Sequence, residues 1–495
     1  MSQAQGLKSK VLNGGILLTL RSLVAAAISL VTVIVIARSL GPKNYGIATV
    51  SIGILYFLTW TLRLGLHTHL VRAPDLPETG PRQVLSFYNA FGGLLCACLW
   101  LVAPLAGKFT GQVEVTQALR VLVPVIWLDL VGMVAISMLE RNLQFGRVGV
   151  IESVSQLGNC ALSIGLVLGG WSYWGPVVGT LFQYSLQAIL AHFFYPINWR
   201  WCWDSGFLKP ALRFGLAYSG ADWIANCKSL RISVLVSGIA GIEAAGIVGM
   251  ANRFADQMSM LRLVVRRMSI SVMSKLLEEP DAARRAVSRG MVYQALLVGP
   301  VCAGFSCVAL WVIPLFFGAE WVLSAKIFPL FALGALVSSL FDLHAAVLHA
   351  AGKNGDVAKG NLLYVGLLWL GGVVLLPPAG LWGYGVSELL ALPGFVVIHN
   401  AFKRSYGAPD YWKALWVALA AIPPLVASFF LSPLPAFSVF ILSYGMLFRL
   451  NAELRACILE LSSIVLRKRS RSTTSACADQ ASAGASGDSQ LELGA

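Results

Sequence analysis

Residues 14–37, GGILLTLRSLVAAAISLVTVIVIA, form an apolar run that a single charged side chain, Arg21, interrupts. About 20 consecutive apolar residues are enough for a helix to cross the hydrocarbon of a bilayer. The run is too long for the core of a signal peptide, so we expect it to remain as the first span. Similar runs follow along the chain, and they predict an all-α, polytopic membrane protein with about 14 transmembrane helices.

The composition supports this class. The chain has 495 residues, of which 57% are hydrophobic and 12% are charged. A soluble domain carries about 25% charged residues, so a soluble globular protein is excluded. The net charge of +14 belongs to the loops of a membrane protein, and we predict neither a nucleic-acid partner nor a cofactor. The cysteines lack the spacing of metal ligands, so no metal site is predicted.

Positive charges in the short loops predict the orientation. Connections from odd to even spans are nearly free of lysine and arginine, whereas connections from even to odd spans are rich in them. The basic connections include Arg72, Arg82, Arg141, Arg147, Arg200, Lys209, Arg284, Arg285, Arg289, Lys353, Lys403, Arg404 and Lys413. Basic loops remain in the cytoplasm, so we expect both termini to be cytoplasmic in a bacterial inner membrane.

A shift of 200 residues aligns the first span with the seventh. Eight residues of the first half then match their counterparts: Leu12, Gly15, Ala25, Ser29, Leu30, Gly41, Gly46 and Ile47 with Leu212, Gly215, Ala225, Ser229, Leu230, Gly241, Gly246 and Ile247. Repeats with an even number of spans keep the same orientation, which implies a pseudo-twofold axis along the membrane normal. We predict six-helix lobes at 1–200 and 201–405, a final helix pair at 406–452, and a cytoplasmic tail at 453–495 that is disordered towards its end.

The turn after the first span carries a family resemblance. Residues 33–58, VIVIARSLGPKNYGIATVSIGILYFL, contain an R-x-L-G-P-x-x-Y-G turn, and residues 65–72 follow the pattern G-L-x-x-x-L-V-R. Together with the echo SGIAGIEAAGIVGMANRF at 237–254, this resembles the polysaccharide-transporter branch of the multidrug/oligosaccharidyl-lipid/polysaccharide exporter superfamily. The resemblance implies a V-shaped, fourteen-helix transporter that flips a polyprenyl-pyrophosphate-linked oligosaccharide outward by alternating access. It also implies that the first two spans of each repeat line a central cavity.

Six cations lie within or beside these spans. Each cation at the centre of a bilayer costs about 2.5–3.5 kcal/mol on insertion scales, so each requires a compensating role. We predict that they form a cationic cavity for an anionic head group, since arginine and lysine suit phosphate oxygens. The predicted substrate-binding residues are Arg21, Arg63, Lys228, Arg231, Arg253 and Arg262.

Alternatives exist for several of these residues. Arg63 and Arg262 lie near the cytoplasmic ends of their spans, where their side chains could instead reach the interface. Arg253 is three residues before Asp256, a spacing that also suits an internal ion pair. Asp222 and Asp256 are the candidates for coupling to a proton or sodium ion. Isolated polar residues such as Asp129 and Glu388 are expected to form hydrogen bonds between helices.

Three aromatic residues near the cations, Trp60, Tyr218 and Trp223, are candidates for stacking on sugar faces, although apolar packing or interfacial anchoring explains them equally well. The sequence shows no phosphate-cradling loop, metal cluster or nucleophile–base pair, so we predict a transporter and not an enzyme. The predicted cargo is a repeat unit of an exopolysaccharide, a capsule or an O-antigen, and partners include membrane lipids and the polymerase and export machinery. Alternatives are a lipid II flippase or, with less support, a multidrug cation antiporter or a glycan polymerase or ligase.

The longest internal connection, 268–289, includes SKLLEEPDAARRAVSRG. Its basic character suits a helix that lies on the inner leaflet, and it equally suits a solvated linker.

Overall fold

The computed structural model describes residues 2–260, 262 and 279–455, without the side chains of 2–27, 217, 218, 221, 222 and 225. Every regular element within these ranges is helical, as predicted. Before the undescribed segment at 263–278 these are α1 Ser2–Leu62, α2 Leu66–Arg72, α3 Gly80–Thr110, α4 Val113–Arg141, α5 Phe145–Leu168, α6 Trp174–Phe194, α7 Ser205–Asn226, a π-helix Arg231–Val236, α8 Ser237–Ala240 and α9 Ile242–Ser259. After it come α10 Pro280–Phe317, α11 Val322–Ala350, α12 Asn354–Leu390, α13 Gly394–Tyr406, α14 Trp412–Phe430 and α15 Pro433–Leu450.

Ten helical segments in the described ranges are long and apolar enough to cross a membrane. Two of the long helices are broken by a glycine with non-helical backbone angles, α1 at Gly41 and α12 at Gly380. A straight helix as long as α1, 61 residues, would extend about 90 Å, three times the thickness of the hydrocarbon, so the break is necessary. The chain is therefore a multi-pass, all-α membrane protein, and the number of fourteen crossings stays a prediction.

Gly41 and its counterpart in the proposed repeat, Gly241, adopt nearly the same backbone conformation. Gly41 has φ 66° and ψ 174°, and Gly241 has φ 88° and ψ 174°. Such positive φ values are unfavourable for residues with a Cβ atom, which explains a glycine at both positions. Each glycine begins the helix that follows, so the same turn occurs at the same place in both halves. This agreement supports the two-repeat organisation.

The buried hydrophobic residues form two main clusters. One lies between Leu55 and Ala211 and joins the end of α1 to α3, α4, α5 and α6. The other extends from Leu235 to Leu454 and also includes first-half residues, namely the part of α1 around the Gly41 turn together with Ala103, Val115, Leu119 and Val167. Apart from these first-half residues, the division falls near residue 200, where the sequence predicts a lobe boundary. The exact domain limits, 200, 405 and 452, remain predictions.

The final helix pair, α14 and α15, packs on α10. The thiol of Cys307 in α10 is 3.3 Å from the carbonyl oxygen of Ala436, and Gly299 faces the hydroxyl of Tyr444. In α10 the segment 280–289 continues directly into the apolar part, so it is the start of a long helix and not a separate surface helix. The remainder of the predicted 268–289 surface segment falls almost entirely outside the described residues, as does the predicted disorder of the tail beyond 455.

Candidate functional site

Arg63, which directly follows α1, forms a buried ion pair with Asp129 of α4. Its Nε and Nη2 atoms donate to the two carboxylate oxygens at 2.8 and 2.6 Å. The guanidinium also lies 4.6 Å from the ring centre of Trp60. The Asp129 side chain is completely buried, so the carboxylate compensates the charge of Arg63 inside the first half of the protein. The sequence predicted hydrogen bonding between helices for Asp129, but it did not identify this partner.

Arg231 forms a second buried ion pair, in the second half of the chain. The guanidinium lies at the start of the π-helix, 2.9 Å from Oε1 of Glu388 in α12. The hydroxyl of Tyr364 donates to the other oxygen of Glu388 at 2.9 Å. Arg231 also donates to the side-chain oxygen of Asn252 in α9. A π-helical turn inserts one extra residue per hydrogen-bonded ring and often occurs at functional positions.

Arg63 and Arg231 were predicted to bind substrate, but in the structure each is held in a buried ion pair. Removing one partner of a buried ion pair leaves an uncompensated charge and destabilises the protein, so each of these arginines has a structural role as long as its carboxylate is present. The sequence contained a signal that the prediction did not use. Asp129 and Glu388 are single carboxylates inside apolar segments, and each requires a counter-charge of the kind that Arg63 and Arg231 supply.

Three other predicted cations have no carboxylate within 4 Å among the described residues: Lys228, Arg253 and Arg262. The ammonium of Lys228 lies 4.8 Å from the ring centre of Tyr364. Arg253 donates to the hydroxyl of Ser29 at 3.2 Å, which links α9 to α1. Arg262 donates to the hydroxyl of Ser338 at 3.3 Å. The partners that the described residues provide are thus neutral, and none of them forms an ion pair with these three side chains.

Two predicted site residues, Arg21 and Asp222, have side chains outside the described part of the structure. Arg21 lies in the first part of α1 and Asp222 in α7. The roles predicted for them stay predictions.

Asp256 does not form the expected ion pair with Arg253 among the described residues. Its carboxylate instead accepts a hydrogen bond of 2.9 Å from the side-chain nitrogen of Asn252. Since Asn252 also accepts from Arg231, a polar chain connects Asp256 through Asn252 and Arg231 to Glu388. Asp256 is exposed, whereas Glu388 is buried, so this chain leads from an accessible carboxylate into the interior of the second half.

A cavity of about 330 Å³, which we call the aromatic cavity, lies where α1, α6 and α7 meet. It is lined by Tyr56, Trp60, Tyr184, Asn226 and Ser229. Trp60 was predicted as a sugar-stacking residue, and its side chain is accessible here. Of the other two candidates, Trp223 is half-buried in α7, and the side chain of Tyr218 is outside the described residues.

Tyr56 and Tyr184 were missed by the sequence analysis. Tyr56 lies four residues before Trp60, so both can occupy one face of α1, and this spacing was a usable signal. Tyr184 comes from α6, and only the packing of helices brings it to the cavity. Three aromatic side chains beside an amide and a hydroxyl form a surface of the kind that binds sugar rings.

Comparison with known proteins gives relatives for the whole architecture. The lipopolysaccharide biosynthesis protein WzxC of Escherichia coli (strain K12) is 21% identical over 442 residues, which cover 86% of this chain and 88% of the relative. The succinoglycan biosynthesis transport protein ExoT of Rhizobium meliloti (strain 1021) is 24% identical over 308 residues, or 61% of this chain and 62% of the relative. The teichuronic acid biosynthesis protein TuaB of Bacillus subtilis (strain 168) is 24% identical over 347 residues, or 68% of this chain and 67% of the relative.

Solved structures share the fold. A structure of the lipid II flippase MurJ in an inward closed conformation superposes with a TM-score of 0.72 at 14% identity, covering 92% of this chain and 99% of that one. An inward-facing multidrug resistance MATE transporter of the MOP superfamily superposes with a TM-score of 0.59 at 15% identity, covering 80% and 95%. The family model described as polysaccharide biosynthesis protein matches residues 35–326, which is more than half of the chain and includes the turn that carries the resemblance. The chain therefore belongs to this family of polysaccharide biosynthesis proteins.

Proposed function

We propose that the protein moves a polyprenyl-pyrophosphate-linked oligosaccharide repeat unit from the cytoplasmic to the outer leaflet, for export of an exopolysaccharide, a capsule or an O-antigen. Two of its relatives are named for lipopolysaccharide biosynthesis and for succinoglycan biosynthesis transport, which supports this class of cargo. The proposal places both termini in the cytoplasm, in agreement with the basic loops.

The observation that carries the proposal is the position of Lys228. It lies in the chain between Asn226 and Ser229, two residues that line the aromatic cavity. The candidate sugar-binding surface and a cation without an ion-pair partner among the described residues are therefore neighbours in the chain just after α7. Arg253 is a second such cation, on α9, and it reaches α1 through Ser29. A cargo with sugars next to a pyrophosphate has this same order of chemical groups.

The proposed division of roles follows from these contacts. Tyr56, Trp60 and Tyr184 bind sugar rings, while Lys228 and Arg253 bind the pyrophosphate with Arg21 and Arg262. Arg63 and Arg231 support the site because each joins two parts of the chain through its carboxylate partner, which compensates its charge. A bare pyrophosphate in hydrocarbon would cost on the order of tens of kcal/mol, so its passage needs such compensation.

The direction of transport has a source of free energy in the membrane potential. Two negative charges that move outward gain roughly 4–5 kcal/mol at 100 mV, inside negative. Counter-transport of a proton or sodium ion is a second source, with Asp256 and Asp222 as candidates. Asp256 suits this role because it is exposed at one end of the polar chain to Glu388.

The experiment is complementation of a strain from which the gene is deleted. We expect the polyprenyl-linked repeat unit to accumulate on the inner leaflet of the deletion strain and to be exported again when the wild-type protein returns. Lys228→Ala and Arg253→Ala should each restore less than a tenth of export at normal protein abundance. Lys359→Ala removes an exposed cation that pairs with Asp356 on the surface, and it should restore export fully.

Other outcomes identify the rival functions. Loss of peptidoglycan precursor export in the deletion strain would show a lipid II flippase, and altered dye efflux would show a multidrug antiporter. Full export with both Lys228→Ala and Arg253→Ala would refute the assignment of these residues to the pyrophosphate.

A further inference from the structure

A second cavity, of about 490 Å³, lies at the start of α10 and shares no lining residue with the aromatic cavity. It is formed between the first four turns of α10, the connection from α13 to α14, and the start of α14. The backbone nitrogen of Asp410 donates to the hydroxyl of Ser288 at 2.9 Å, which ties the connection to the helix. The wall is therefore built from two parts of the chain that are held together.

The cavity has a strongly basic wall. Arg284, Arg285, Arg289 and Lys413 line it, against the single carboxylate of Asp410. That carboxylate is engaged in the turn before α14, since its Oδ1 accepts from the backbone nitrogen of Trp412 at 2.9 Å. The wall thus has more positive charge than its own residues neutralise.

The four cations differ in their partners. Arg284 pairs with Asp281 at 3.0 Å and Lys413 with Glu453 at 2.6 Å, and both pairs are exposed to solvent. Exposed pairs of this kind contribute about 0–1 kcal/mol, so they yield readily to a phosphate. Arg285 and Arg289 are exposed and have no carboxylate within 4 Å among the described residues. They are four residues apart on α10 and so point to the same side.

The length of α10 and the exposed tryptophans of α14 indicate where the cavity lies along the membrane normal. α10 has 38 residues, about 57 Å at 1.5 Å per residue, so it extends beyond a hydrocarbon core of about 30 Å. The basic residues are on its first turns, before the apolar part. Beside them, Trp412 and Trp416 are 63% and 43% exposed and meet edge to face with ring centres 5.5 Å apart. Exposed tryptophans are typical of the level of the lipid head groups.

We propose that this cavity binds the phosphate head group of an anionic phospholipid of the inner leaflet, with its acyl chains along the exposed apolar face of α14. The chemistry that recognises the ligand is a phosphate diester against Arg285 and Arg289, supported by Arg284 and Lys413. Basic pockets between transmembrane helices on the cytoplasmic side suit such head groups because the inner leaflet is rich in anionic lipids. The site rests on the cytoplasmic orientation of the basic loops and is separate from the cargo site.

The test is lipid binding by the purified full-length protein in detergent, with cardiolipin as the anionic probe and phosphatidylcholine as the zwitterionic one. We expect cardiolipin to bind, and Arg285→Ala/Arg289→Ala to weaken its binding by about 30-fold, since each cation near an anionic surface contributes about fivefold to tenfold. The matched control is Lys403→Ala/Arg404→Ala, which removes two exposed cations from the end of α13 outside the cavity and should change binding less than twofold.

Three results with the double variants or the wild-type protein would overturn the proposal. One is equal weakening by both variant pairs, which would show general attraction to basic loops. Another is equal binding of phosphatidylcholine. The third is inorganic phosphate that stabilises the protein as well as cardiolipin does, which would show a site for a soluble anion.

If the double variant does not fold, Arg289→Gln alone should weaken cardiolipin binding about fivefold, and an unchanged affinity would refute the site. Lys228→Ala should bind cardiolipin normally, so failure here and failure of the transport proposal are distinguishable.

Discussion

Gly46 of α1 and Gly246 of α9 lie backbone against backbone. A Cβ atom on Gly46 would come within 2.1 Å of the carbonyl oxygen of Ile242, and one on Gly246 within 2.2 Å of that of Pro42. Each glycine therefore meets the oxygen four residues before the other glycine. Such reciprocity is the property of a contact across a twofold axis. The two halves of the chain thus meet at equivalent positions.

This contact predicts that alanine at either glycine destabilises the protein. Gly46→Ala brings its methyl group against backbone, which cannot rotate away, so we expect a loss of about 1–3 kcal/mol in the free energy of unfolding. A drop in melting temperature of the purified protein measures it. Gly366→Ala in α12 is the control because a Cβ there meets nothing within 4 Å. An equal melting temperature for wild type and Gly46→Ala would contradict the contact.

The Arg63–Asp129 pair predicts strong coupling between two variants. Asp129→Leu leaves a buried guanidinium without its partner and should cost about 3–5 kcal/mol of stability, as should Arg63→Met. The double variant replaces the pair by apolar side chains, and we expect it to recover most of the loss. Abundance in the membrane and melting temperature of all three variants measure this. If the losses simply add, the two residues do not act as a pair.

We predict that export requires an aromatic ring at position 60 in the aromatic cavity. Trp60→Phe keeps a ring for stacking on sugars, whereas Trp60→Leu keeps only apolar volume. We expect export to fall less than threefold with phenylalanine and more than tenfold with leucine, at equal protein abundance. Trp171→Leu removes an exposed tryptophan away from the cavity and is the control. Equal export by Trp60→Phe and Trp60→Leu would show that Trp60 serves packing alone.

We predict that the close packing of Gly215 in α7 limits access to the aromatic cavity from the cytoplasmic side. A Cβ atom on Gly215 would lie 2.1 Å from the carbonyl oxygen of Leu64, just after α1, so Gly215→Ala must push the two segments apart. Cys227 adjoins the cavity residue Asn226 and is a natural reporter. With the other cysteines replaced, we expect a reagent on the cytoplasmic side to label Cys227 several-fold faster in Gly215→Ala than in the unchanged glycine background.

The control for that measurement lies in the same helix. A Cβ on Gly220 meets nothing within 4 Å, so Gly220→Ala should leave the labelling rate unchanged. Faster labelling from the outer side, or equal rates in Gly215→Ala and Gly220→Ala, would show that the contact between Gly215 and Leu64 does not limit access from the cytoplasmic side.

Several features of this protein were predictable before any coordinates. Apolar runs imply transmembrane helices because a backbone in lipid must satisfy its hydrogen bonds within the segment. The glycine matches at a shift of 200 residues indicated the repeat. Gly41 and Gly241 show why glycine recurs: both have a positive φ, which is unfavourable for residues with a Cβ atom. Lys228 and Arg253 stood out because a charge within an apolar run demands an explanation.

The sequence alone determined the helical class, the repeat, the family and the set of charges within apolar segments, since these depend on local composition and spacing. Only the tertiary structure decided which charges are compensated. Asp129 meets Arg63 across 66 positions of sequence, Glu388 meets Arg231 from a helix in the second half, and Tyr184 joins Tyr56 and Trp60 from α6. The periodicity of a sequence indicates which face of a helix is polar. The partner of that face depends on how the helices pack, because packing brings together side chains that are far apart along the chain.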